Sequence, residues 1–131
     1  MSIEENKVLI RRWLDEVINK RDPAALDAFS VRDFAGHFAG LREPVRGVEA
    51  WKQIWSSYCT AFPDFHLTLE DEIAEGDKVV IRYTWQATQR GEFHGTQPTG
   101  KPVAGRGMCI FRIVGGRIAE EWNQDEQMYE A

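Results

Sequence analysis

A change of period partway along the chain limits the fold more than any other feature. Up to Phe62 the apolar residues recur at spacings of three and four; from Phe65 onward they alternate. The first pattern puts a stripe on a helix, and the second gives a strand one apolar face. Helices followed by strands, rather than the two interleaved, imply an α+β fold with a meandering antiparallel sheet.

The pattern predicts an amphipathic helix from about Glu4 to Lys20, with Ile10, Trp13, Leu14, Val17 and Ile18 on its apolar side. Asp22-Pro23 suits the N-cap and first position of a short helix through Phe29. Phe34 to Phe38 reads as a short strand or bend before a loop. A third helix, about Val48 to Phe62, carries Val48, Trp51, Trp55, Tyr58 and Phe62 on one stripe and stops at Pro63.

Four strands follow. Phe65 to Ile73 places Phe65, Leu67, Leu69 and Ile73 on one face. Lys78 to Thr88 does the same with Val79, Ile81, Tyr83 and Trp85. Val103 to Val114 and Arg117 to Asp125 flank a Gly115-Gly116 hairpin turn. Gly91, Gly95, Gly105 and Gly107 are candidate bends or bulges. A curved sheet wrapped round a long helix leaves room for a cavity. At 131 residues, without repeats or linkers, the chain reads as a single domain over 1–131.

Charge and composition narrow the function. A net charge of -5 with no basic run opposes phosphate backbones and anionic membranes, so neither nucleic acid nor membrane is expected as a partner. The acidic, polar start is unlike a secretory signal, and Cys59 and Cys109 fit free thiols, so the expected location is cytoplasmic. His37, His66, His94 and the two cysteines have no metal-ligand spacing; no metal or cofactor is expected. Gly95 to Lys101 fits G-x-x-x-x-G-K, but Pro102 replaces the required Ser or Thr, and a strand, not a helix, follows. His66 lies opposite its strand's apolar face and His94 in a Gly-rich loop, which predicts solvent for both.

Several short segments, in order along nearly the whole chain, resemble the SnoaL-like polyketide cyclases. They include Asp33-Phe34-Ala35-Gly36-His37, Ala61-Phe62-Pro63-Asp64-Phe65, Pro98-Thr99-Gly100-Lys101 and Gly116-Arg117-Ile118-Ala119-Glu120-Glu121-Trp122. The resemblance implies the cone-shaped open barrel of nuclear transport factor 2 and ketosteroid isomerase, with polar acid/base residues in an apolar central pocket. It also implies an aldol ring closure without metal or cofactor. Fold alone does not fix function.

Enolisation needs a base beside a carbonyl and a donor for the developing enolate oxygen. A carboxylate among aromatics serves as base because burial raises its pKa toward neutrality. The last strand offers two faces, Ile118, Glu120, Trp122 and Gln124 on one, Ala119, Glu121, Asn123 and Asp125 on the other, and alternation does not choose between them. The resemblance implies that the second faces the cavity, with Glu121 and Asn123 as catalytic candidates. It aligns the cyclases' acid/base Asp with Asn123, which cannot take a proton. It also implies that His37 lies at the pocket as a third catalytic candidate, an acid or donor that polarises the oxygen with Asn123, and it marks Glu126, four residues after Trp122, as a further acidic candidate, a helix cap or an end-of-strand surface charge.

Trp55, Tyr58, Trp85, Cys109 and Phe111 are the candidate substrate-binding wall. Tyr58 and Tyr83 are both possible oxyanion donors. Three functions stay open: a cofactor-free cyclase or isomerase acting on a small hydrophobic carbonyl compound, a non-catalytic binder of such a compound, and an epoxide hydrolase, which needs an Asp-Arg-Asp set. Met108, Ile110 and Arg112 would lie on the outer sheet face, so a homodimer through that face is expected.

Overall fold

Ser2 starts the first helix. Its hydroxyl accepts the Glu5 amide and the Glu5 carboxylate accepts the Ser2 amide, a reciprocal capping box. The computed structural model describes residues 2–93, 95–126 and 128–130. Helix α1 (Ile3–Trp13) runs on without a break into a π-helical segment, Leu14–Asn19, closed by the Lys20 amide on the Asp15 carbonyl. The Val17 carbonyl, free at the helix end, accepts the Trp55 indole N–H at 3.2 Å. Asp22 makes no side-chain cap; Pro23–Ala25 is a 3-10 turn leading into α2 (Leu26–Phe29). After β1 (Ser30–Phe38) and β2 (Val45–Arg46) comes α3 (Val48–Ala61), then β3 (His66–Glu75), β4 (Lys78–Thr88), β5 (Pro102–Val114), β6 (Arg117–Asp125) and β7 (Tyr129–Glu130).

The sheet order is β2-β1-β6-β5-β4-β3, with β7 on β5, and the sheet is not closed into a barrel. It is mixed, not wholly antiparallel as the meander predicts, because β1 lies parallel to β6. A crossover through α3 and the meander separates the two strands in sequence, so local pattern cannot reveal their pairing. Helix α1 packs on β3 and β4, and α3 on β1 and β2. The helices thus cover one sheet face, where Ile10, Val17, Val79, Phe111 and Ile118 are fully buried. Edge strand β3 is tied to the helix end by Asn19, whose amide donates to the Leu67 carbonyl (2.9 Å) and accepts its N–H (2.8 Å).

Two irregularities decide which side chains point inward. In β3 the register shifts between Leu69 and Asp71. Beyond it Glu72 turns inward and ion-pairs with Arg11 at 2.9 Å, while Ile73, expected inside, is 64% exposed. In β6, Ile118 stands opposite Ile113 but Glu120 opposite Arg112, leaving Ala119 as an extra residue. One extra residue reverses the facing of everything after it. Hence Ile118 is inward on even parity, and Glu121, Asn123 and Asp125 are inward on odd. The segment Gly95–Lys101 connects strands, and Lys101 is followed by β5.

Candidate active site

Between the helices and the sheet lies a cavity of about 630 Å³ with mostly apolar walls. Trp55 and Tyr58 enter from α3, Trp85 from β4, and Cys109 and Phe111 from β5; all five expected wall residues line it. So do Glu121 and Asn123 from β6. The helical aromatic stripe makes a continuous wall: Trp51, Trp55 and Tyr58 follow one another at ring separations of 6.1 and 5.9 Å. Trp55 meets Phe65 edge-on at 5.3 Å, and Phe65 stacks on Trp85 at 5.1 Å.

Glu121 is the polar centre of this wall. It is 3% exposed. The Trp51 indole N–H donates to its Oε1 (3.1 Å) and the Cys109 thiol to its Oε2 (3.1 Å). Burial disfavours the anion and pushes its pKa up to about 7; the two hydrogen bonds pull the other way and the charge of Asp125 adds to the rise. Burial, and then Glu121 beside it, push the Cys109 thiol well above its ordinary value, so Cys109 is a neutral donor here and not a nucleophile.

A second polar group lies further along β6. The Asn123 amide donates to the Tyr83 hydroxyl at 2.8 Å, and that hydroxyl donates to Asp125 Oδ1. Burial raises the Tyr83 phenol above its usual pKa, with the charge of Asp125 adding to it. Burial also raises Asp125, against the Tyr83 hydrogen bond, although Asp125 keeps exposed surface where it lines the cavity.

His37 is not in the pocket, contrary to what the resemblance implies. Because β1 runs parallel to β6, His37 is level with Trp122, whose side chain points outward. The two rings stack at 5.3 Å and 6°, and His37 Nε2 contacts Glu120 Oε2 at 2.7 Å. That hydrogen bond, with Arg112 on the other oxygen, holds the Glu120 carboxyl below its ordinary value. Glu126 touches the pocket rim, but its carboxylate is paired with Arg106 at 2.7 Å. His66 is exposed as expected, and His94 lies outside the described residues. Among the described residues no cluster of His, Cys, Asp and Glu could hold a metal ion.

The sequence reading passed over two contributors, Trp51 and Asp125. Trp51 sits in the stripe one turn before Trp55 and reads as packing. Asp125 shares the face of Glu121, yet only the three-dimensional approach of Tyr83 sets it apart.

The model of the SnoaL-like polyketide cyclase family matches residues 8–129. The chain belongs to this family. Among solved structures, this SnoaL-like chain is similar to AclR, a putative hydroxylase from Streptomyces galilaeus: 28% identity, TM-score 0.85, covering 95% of this chain and 77% of AclR. It is similar to IdmH, a putative polyketide cyclase from Streptomyces antibioticus, at 28% identity and TM-score 0.81, over 92% of this chain and 91% of IdmH. TsrD from Streptomyces laurentii is 25% identical with TM-score 0.83, over 96% and 91% of the two chains. No curated protein matches the chain.

Proposed function

We propose that this SnoaL-like protein is a cofactor-free enzyme that enolises a small, largely apolar carbonyl compound, as a cyclase or an isomerase does. One observation carries the reading: a fully buried carboxylate, Glu121, with a pKa of about 7, on the wall of an aromatic cavity. Such a group exchanges protons with a weak carbon acid near neutral pH. Glu121 as the anion takes the proton next to the carbonyl and, once protonated, returns it at another position. Asn123 gives one amide hydrogen to Tyr83 and has a second for the enolate oxygen. The aromatic walls exclude water, which strengthens both interactions. The proposed setting is the reducing cytoplasm, where Cys59 and Cys109 stay free thiols. No helix is long and apolar enough to cross a membrane.

A second reading, a non-catalytic carrier for the same class of compound, is favoured by one fact. Both oxygens of Glu121 already accept hydrogen bonds from the protein. An epoxide hydrolase has no support: no arginine is among the described residues that line the cavity.

Hydrogen–deuterium exchange separates the first two without a known substrate. The protein is incubated with 2-tetralone, a bicyclic ketone, in deuterated buffer, and loss of the α-proton signal is followed by NMR. The enzyme reading expects exchange above the buffer rate, reduced roughly 100-fold or more in Glu121→Gln. Binding of the ketone with no exchange above buffer would leave the carrier.

A further inference from the structure

Strand β5 carries glycine at position 107, on the inward face, between Tyr83 of β4 and Asp125 of β6. A Cβ there would collide with Asp125 Oδ1 and stand 2.7 Å from the Tyr83 hydroxyl. The glycine is therefore a window. Through it two side chains from strands that are not neighbours reach each other and hydrogen-bond. Mid-strand glycine weakens a sheet, so its presence at this level is explained by the close approach it permits.

The contact leaves Asp125 half used. Tyr83 occupies Oδ1; among the described residues Oδ2 has no hydrogen-bond partner, and Asp125 lines the cavity. Glu121 sits four residues away on the same strand face, about 13 Å along the strand. Glu121 is buried where it lines the cavity, whereas Asp125, which lines the same cavity, is exposed. Apart from Cys109, Glu121, Asn123, Asp125 and Glu126, the described lining residues are glycine, aromatic or aliphatic.

We propose that Asp125 is a specificity-determining residue that accepts a hydrogen bond from a hydroxyl group at the far end of the substrate, with Tyr83 and Gly107 positioning it. The substrate is then a carbonyl compound whose carbonyl lies at Glu121 and whose hydroxyl lies at its opposite end. This rests on the enolisation reading for the placement of the carbonyl. A carboxylate with one fixed oxygen and one open oxygen selects a donor. It discriminates against a bare carbon edge, which would leave Oδ2 stripped of water and unpaired.

The test compares 6-hydroxy-2-tetralone with 2-tetralone by isothermal titration calorimetry on the full chain. The hydroxylated ketone is expected to bind at least tenfold more tightly to the wild type. In Asp125→Ala the two should bind within about twofold of each other. Tyr83→Phe and Gly107→Ala should each reduce the ratio while 2-tetralone still binds, a result that mere loss of packing would not give. If Gly107→Ala does not fold, Tyr83→Phe decides the positioning role. Equal affinities in the wild type, or a ratio that survives Asp125→Ala, would overturn the proposal. No binding of either ketone would overturn it together with the pocket reading. A ratio that depends on Asp125, without α-proton exchange, would leave the proposal standing and remove the enolisation.

Discussion

Glu121 holds a proton in the folded protein that it would lose to water in the unfolded chain. Its pKa rises from 4.5 to about 7 on folding. Below about pH 4.5 both states are protonated and the group contributes nothing. As the pH rises to 7 the unfolded state releases its proton and the folded state does not, so stability falls by about 3 kcal/mol and stays lower above pH 7. Glu121→Gln should remove this dependence: urea unfolding at pH 5 and pH 8 should give wild-type stabilities that differ by more than the variant's, with the variant gaining at pH 8. An equal pH dependence in both proteins would deny the buried proton. The Trp51 indole stabilises the anion, so Trp51→Phe should raise the Glu121 pKa further. The pH at which the exchange rate is half its maximum should then move upward, which a rate–pH profile reads directly. At this scale the sequence named Glu121, through the family resemblance and not through alternation, together with the wall residues, and all of them line the cavity. It could not separate Asp125 from its neighbours or exclude His37 from the pocket, because those facts depend on which strands lie side by side.

Boundaries were legible for three strands: β4 and β6 run over the residues that alternation marks, and β5 begins one residue early, whereas β1 starts four residues before Phe34 and β2 lies where a loop is expected. Strand faces were legible in β4, where Val79, Ile81, Tyr83 and Trp85 are all buried, but not throughout β3 and β6. Alternation assumes an unbroken register, and the extra residues in β3 and β6 break it. Ile73 is turned out by one, and Glu121 is turned in, in place of Glu120, by the other. Nothing in the residue types at Glu70 or Ala119 announces a bulge. The inward glycines of β5 were visible, but as bends; their role is to clear space for aromatic and polar groups on the flanking strands. Gly105 is the simpler case. A Cβ there would lie 2.6 Å from Cζ2 of Trp85, whose ring is fixed by stacking on Phe65. Overpacking outweighs the chain entropy that alanine removes, so Gly105→Ala should lower stability by roughly 1–2 kcal/mol in urea unfolding. Unchanged stability would mean that Trp85 moves freely, and that the cavity wall is less rigid than its stacking suggests.

The helices cover one face of the sheet and leave the other open, and the pairing registers draw an uninterrupted row across that open face. Ile73 is opposite Val80, Val80 opposite Ile110, Ile110 opposite Trp122, and Trp122 level with His37. Met108 and Val114 flank the row and are about half exposed, and Ile110 is 37% exposed. An apolar stripe that spans four strands and ends on the His37 ring is costly to keep in water and is commonly covered by a partner. We propose that a second copy of the chain covers it, since a stripe running across the sheet can cross its own symmetry mate about a twofold axis. Arg112 and Glu120 pair at 3.2 Å beside the stripe and would supply a polar rim. Light scattering at micromolar concentration should then give twice the mass of one chain. Ile110→Glu should give the single-chain mass while circular dichroism and ketone binding persist, because Ile110 faces away from the cavity. A single-chain mass for the wild type would remove the dimer. The stripe would then have to be tolerated in water, and the pocket would have to work within one chain.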